Sequence, residues 1–250
     1  VRSIKLFSDG ALGSRGAFLV EPYHDDPHNH GLRLLSQPEL MDMARKAYEK
    51  EYQLNVHCIG DAANKYVLNA MAQVLPSKND CRWRIEHAQI VQPEDINIYQ
   101  NYQIIPSIQP THATSDMYWA EQRLGPERIK TAYAYRELLN AVGLVAIGSD
   151  FPVEDINPLL GFHAAVARQD TEGYPVAGFQ PENALSRDDA LKGMTIWAAY
   201  ANFEEENRGS IEPGKNADFT ILDEDIMEIA IDKIPQVKVA ATIVGGERVY

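Results

Sequence analysis

Three short apolar runs in this chain each end on a side chain that can bind a metal or carry a proton. Leu54-Asn55-Val56 runs into His57, Arg84-Ile85-Glu86 into His87, and Val145-Ala146-Ile147-Gly148-Ser149 into Asp150. Each follows a segment with helical spacing, the pattern of a parallel β/α array whose strand ends share one rim. On such a rim two imidazoles and a carboxylate converge, a set suited to a divalent metal ion. A single strand-end histidine is more often a hydrogen-bonding residue than a ligand; two of them with an aspartate reverse that balance.

With 250 residues the chain is long enough for one large domain, and by length alone for a complete β/α barrel. No stretch reaches the roughly 18 apolar residues of a membrane span, so no membrane partner is expected. A net charge of -13 without clustered Lys and Arg argues against nucleic acid and serves solubility instead. A small-molecule substrate is the expected partner. Cys58 and Cys81 are too few for a disulfide framework, which makes a reducing compartment, the cytoplasm, the default expectation. Cys58 follows His57 in an alternating strand and points to the opposite face, where packing is its role. The chain opens on Val1 and enters a strand at once, so it reads as a portion of a longer protein.

Residues 2–7 form the first predicted strand, followed by Ser8-Asp9-Gly10 and a glycine-rich loop. The long excursion over residues 18–35 has the composition of a site-shaping loop. Its Pro27-His28-Asn29-His30-Gly31 looks like a histidine pair, but no apolar strand precedes it, so it belongs to a surface loop. Ser36 and Glu39 make a capping box before Leu40, Met43, Ala44 and Ala47. Helices are predicted over 61–75, 92–101, 126–140 and 159–168, with a last one capped at Ser186. Residues 103–109 read as a strand that Pro106 weakens, and residues 110–125 as a second long excursion. Arg15, Tyr23 and His112 fall on rim loops, where they orient substrate or simply pack. His163, inside an amphipathic helix, is structural.

After residue 206 the period changes. Residues 219–222, 237–244 and 248–250 read as strands, the last two joined at Gly245-Gly246 as a hairpin. The fold class is therefore α/β: a β/α array over 1–206 and a small β unit over 207–250. Five β/α strands are present where a closed barrel needs eight, leaving an open sheet or part of a barrel. No strand is followed by a dinucleotide or phosphate-loop glycine pattern.

Lys5-Leu6-Phe7-Ser8-Asp9-Gly10, Val56-His57-Cys58-Ile59-Gly60-Asp61, Ile85-Glu86-His87-Ala88-Gln89, Gly148-Ser149-Asp150 and Gly209-Ser210-Ile211-Glu212-Pro213-Gly214-Lys215-Asn216-Ala217-Asp218 together resemble the C-terminal portion of the amidohydrolase superfamily. The similarity is to the branch that holds N-substituted formamide deformylase. It implies a TIM-barrel-type array, about strands four to eight, carrying one or two divalent ions, usually zinc, beside a small composite β-sandwich. By the same resemblance Lys5 is the lysine whose carboxylated form bridges two metals, His57 and His87 are ligands, and Asp150 binds the metal and moves a proton. The implied reaction is metal-dependent hydrolysis of a C–N bond in an amide, formamide or cyclic amide-like substrate. The family's first-strand His-x-His pair has no counterpart here, so the chain is expected to be an N-terminally truncated form with a partial site and little activity. Open sheet edges predict a homo-oligomer or a collapsed partial barrel. The competing reading is a catalytically silent binding module without metal.

Overall fold

A computed structural model describes residues 1–250. Contacts divide the chain into two compact units, one of residues 1–108 and 116–145, the other of residues 109–115 and 146–250.

The first unit opens with β1 (Ser3–Phe7), α1 (Gln37–Glu49), β2 (Gln53–Cys58), α2 (Asp61–Ala72), β3 (Arg84–His87), α3 (Ile96–Tyr102) and β4 (Ile105–Ile108). Its strands pair in parallel in chain order, with Phe7 beside His57 and Cys58 beside His87. β2 is the core strand: Leu54, Val56 and Cys58 are fully buried. β1 lies at the sheet's edge and alternates exposed with half-buried residues, leaving Phe7 55% exposed. The Ser36–Glu39 capping box forms as the sequence indicates, and α1 buries Leu40, Met41, Ala44 and Ala47. Pro106 is tolerated inside β4, where it sits beside Ile85.

Residues 110–125, expected as a loop, hold two helices. α4 (Pro110–Asp116) starts on a proline, which suits a first helical turn. α5 (Ala120–Arg128) contains a kink where Gly125 takes φ 78° ahead of Pro126. The helix expected over 126–140 is correspondingly shorter: a 3₁₀ turn follows α5, and α6 (Tyr135–Val142) begins only at Tyr135.

The second unit holds most of α4, the two-residue β5 (Ala146–Ile147), α7 (Pro158–Ala167), α8 (Arg187–Met194) and α9 (Ile196–Ala201). Asn157 caps α7 and Ser186 caps α8. The last expected helix is broken at Thr195, whose φ −126° and ψ −96° separate α8 from α9. β6 (Phe219–Leu222), β7 (Val239–Val244) and β8 (Glu247–Arg248) form the antiparallel sheet that the changed period announced. Gly245 and Gly246 both take positive φ, as a type I′ hairpin requires. No helix is long and apolar enough to cross a membrane.

One buried side chain joins the ends of β2 and β3. The Asn64 amide, fully buried on α2, donates to the carbonyls of Gly60 at 2.9 Å and Ile90 at 3.1 Å, while its oxygen accepts from the Tyr99 hydroxyl at 3.0 Å. Asn64→Leu strands two buried polar groups, the Ile90 carbonyl and the Tyr99 hydroxyl, while the Gly60 carbonyl keeps the backbone N–H of residue 64 at 2.9 Å, and it is expected to cost about 2–4 kcal/mol. The check is a lowered urea midpoint with an unchanged slope.

Candidate metal-binding site

His57 and His87 come together where β2 and β3 end. Their ring centroids lie 4.5 Å apart with the planes at 72°, an edge-to-face pair. The cross-strand register makes this contact unexpected. His57 pairs with Glu86, and His87 with Cys58, so regular alternation would put His87 on the face opposite His57. His87 escapes alternation because its backbone is left-handed, at φ 75°, which swings its side chain away from the strand's pleat. Phe7, beside His57 in register, stacks its ring at 5.2 Å from the imidazole. Lys5, two residues earlier on that face, rests its ammonium 4.8 Å from the centre of the Phe7 ring.

A residue whose sequence context suggests only a turn organises this corner. The Asp9 carboxylate, 1% exposed, accepts from the backbone N–H groups of Phe18 at 2.9 Å, Ile59 at 3.1 Å and Gly60 at 2.8 Å. It also lies 3.4 Å from His57 Nε2. Burial pushes its pKa up to about 7, against the downward pull of the three N–H donors. Standing two residues past β1 and before a glycine, this short acid reaches the neighbouring strand end.

Arg15 and Tyr23 also belong to the first unit, and both are engaged. Arg15 holds Asp25 through two guanidinium nitrogens, at 3.2 and 2.9 Å, and Arg123 bonds the same carboxylate. Tyr23 is buried and donates its hydroxyl to the Ala17 carbonyl at 2.9 Å; burial raises its pKa. Both therefore brace the loop that follows β1.

Asp150 and His112 belong to the second unit. Asp150 is exposed on the loop after β5, with φ 59°. His112, on α4, is buried, and burial lowers its pKa while Glu154 and Asp150 pull it back up. Glu154, which no sequence signal marks, accepts from the Ser115 hydroxyl at 2.7 Å, tying the loop after Asp150 to the helix of His112. A cavity of about 1030 Å³ in this unit begins at Ile147, Gly148 and Ser149 and is walled by Leu191, Met194 and Phe219.

A tetrahedral zinc takes four N, S or O ligands. The paired imidazoles fit two of these positions, and no group of three or more His, Cys, Asp or Glu side chains is arranged to hold a metal ion.

The chain matches the profile of the amidohydrolase family over residues 1–250. It is 38% identical over 250 residues to the protein LONG AFTER FAR-RED 3 of Arabidopsis thaliana, covering 99% of this chain and 42% of that one. To the N-substituted formamide deformylase of Arthrobacter pascens it is 30% identical over 251 residues, covering 98% and 44%. The crystal structure of a metal-dependent hydrolase from Pyrococcus horikoshii OT3 superposes with a TM-score of 0.83 at 31% identity, over 92% of this chain and 46% of that one. The chain thus spans less than half the length of these relatives, aligning with roughly their C-terminal half.

Replacing Asp9 by alanine leaves three inward N–H groups without their acceptor and is expected to destabilise the first unit by about 3–5 kcal/mol. Asp9→Asn, which keeps a carbonyl oxygen, should lose less. Urea unfolding of both variants, followed by circular dichroism, checks the order.

Proposed function

We propose, from the premise that this chain belongs to the amidohydrolase family over residues 1–250, that it forms part of a metal-dependent hydrolase cleaving a C–N bond of an amide, formamide or cyclic amide-like substrate. The observation that carries the reading is the edge-to-face meeting of His57 and His87 at the ends of neighbouring strands, since it requires a backbone departure that simple packing would not call for. The formamide deformylase and metal-dependent hydrolase among its relatives support the same direction.

In this reading His57 and His87 hold a divalent ion, zinc being the family's usual choice, with Lys5 in carboxylated form and Asp150 as further ligands. Such an ion, when bound, supplies Lewis acidity and lowers the pKa of a water toward ~7. The Asp150 carboxylate, solvent-accessible on its loop, takes up a proton at Oδ and returns it to the leaving nitrogen. Burial favours the neutral form of His112, which can accept or donate one hydrogen bond to substrate. Arg15 and Tyr23 contribute by shaping the loop that borders the substrate. Association through the open β1 edge accompanies this reading, since an unpaired parallel strand presents free backbone groups.

One observation favours the competing reading of a metal-free binding module: no three His, Cys, Asp or Glu side chains are arranged to hold a metal ion. Zinc titration against a chromophoric chelator separates the two. The hydrolase reading expects a site that weakens at least tenfold in His57→Ala and in His87→Ala, together with the added mass of one carboxyl group on Lys5. Wild-type protein that takes up no zinc, cobalt or manganese supports the binding module. Stoichiometric tight binding with full turnover would show that the 250 residues suffice.

A further inference from the structure

The turn that aims His87 is strained. His87 at φ 75° and Ala88 at φ 43° are consecutive non-glycine residues in the left-handed region. Such a residue is costly and persists only where its surroundings hold it. The next residue, Gln89, is 2% exposed and firmly held. Its Nε2 donates to Asp116 Oδ2 at 3.0 Å and to the Tyr133 hydroxyl at 2.8 Å, and that hydroxyl donates to the same Asp116 oxygen at 2.7 Å. The three side chains close a ring of hydrogen bonds inside the first unit. The backbone repeats the connection: the Tyr133 N–H donates to the Gln89 carbonyl at 2.6 Å, and Ile90 forms an antiparallel bridge with Ala132. Tyr133 is itself at φ 55° and fully buried. Two strained segments are therefore fastened to each other.

We propose that Gln89, Tyr133 and Asp116 are positioning residues: their closed hydrogen-bond ring holds the His87–Ala88 turn in its left-handed form and so keeps the His87 imidazole against His57. The consequence for metal affinity rests on the reading of these histidines as ligands; the consequence for ring placement does not. Buried polar networks of this kind specify one arrangement only when every member is satisfied, and outer residues that orient a ligand histidine typically matter 10–100-fold for metal affinity. Tyr133→Phe deletes one hydroxyl and leaves the ring volume. Asp116→Asn keeps a carbonyl oxygen able to accept from both partners, whereas Asp116→Leu does not.

The test is nuclear magnetic resonance on metal-free protein with labelled histidine rings, recorded well below each variant's unfolding midpoint. Wild-type protein should show cross-relaxation between the His57 and His87 rings. Tyr133→Phe and Asp116→Leu should lose most of that signal while the His57–Phe7 contact stays, and Asp116→Asn should retain it. A network that merely stabilises the fold would lower the unfolding midpoint and leave the inter-ring signal intact in all three, which would overturn the proposal. Zinc competition on the same variants forms the second arm, with about a tenfold loss expected for Tyr133→Phe. If wild-type protein takes up no zinc while the ring contact still responds to Tyr133, the positioning role stands and the metal reading fails. If zinc binds and the ring contact is indifferent to Tyr133 and Asp116, the positioning role fails alone.

Discussion

The buried carboxylate of Asp9 is the point from which the candidate site is hung. A carboxylate with 1% exposure is tolerable only if its oxygens are paired. The three N–H groups that pair it come from two places far apart in sequence, the start of the long loop at Phe18 and the end of β2 at Ile59 and Gly60. Asp61 repeats the device one residue on, accepting from the Val20 N–H at 3.0 Å and from the Gln92 amide at 2.6 Å. Gly60 completes it by close approach, since a Cβ there would come within 1.9 Å of the Phe18 carbonyl oxygen. Loop, strand end and helix start are thereby fixed together, and His57 is held at the centre of that junction.

What the sequence made legible about the site was which residues end strands. His57 and His87 could be picked out because β/α alternation marks where a strand stops, whereas the run expected to reach Asp150 stops at Ile147 and leaves that aspartate three residues out on a loop. The face on which His87 lies could not be read, because alternation predicts the wrong one and the correction lies in a left-handed backbone turn of two residues. Nothing local announces that turn, since neither His87 nor Ala88 is a glycine. Gln89 closes the Ile85–Gln89 stretch that carries part of the resemblance, but Asp116 and Tyr133 are distant in sequence and carry no motif. Asp9 was hidden for the opposite reason: Ser8-Asp9-Gly10 has the composition of an ordinary turn, and nothing local says that its carboxylate faces inward.

The fold followed the same division. Strands β1 to β4, the Ser36 capping box and the closing hairpin were legible because periodicity, a cap pair and a glycine pair are local signals. α4 and α5 were not. Pro110-Thr111-His112-Ala113-Thr114-Ser115 shows no apolar period, and Gly125-Pro126 looks like a terminator although helical structure resumes beyond the kink and runs to Arg128. The break at Thr195 was equally silent, because Leu191, Met194 and Trp197 keep helical spacing across it. In these places tertiary contacts decide the backbone, and a chain read in isolation offers no trace of them.

The amide of Asn64 has a consequence for motion. Because one side chain spans the carbonyls of Gly60 and Ile90, and the Ile90 N–H in turn reaches the Ile59 carbonyl at 3.0 Å, neither strand end can fray without breaking bonds to the other. The two histidines therefore ride on a single cooperative opening unit. Amide hydrogens around residues 59–60 and 90 are expected to exchange with solvent through one shared event, with the two imidazoles presented or withdrawn together.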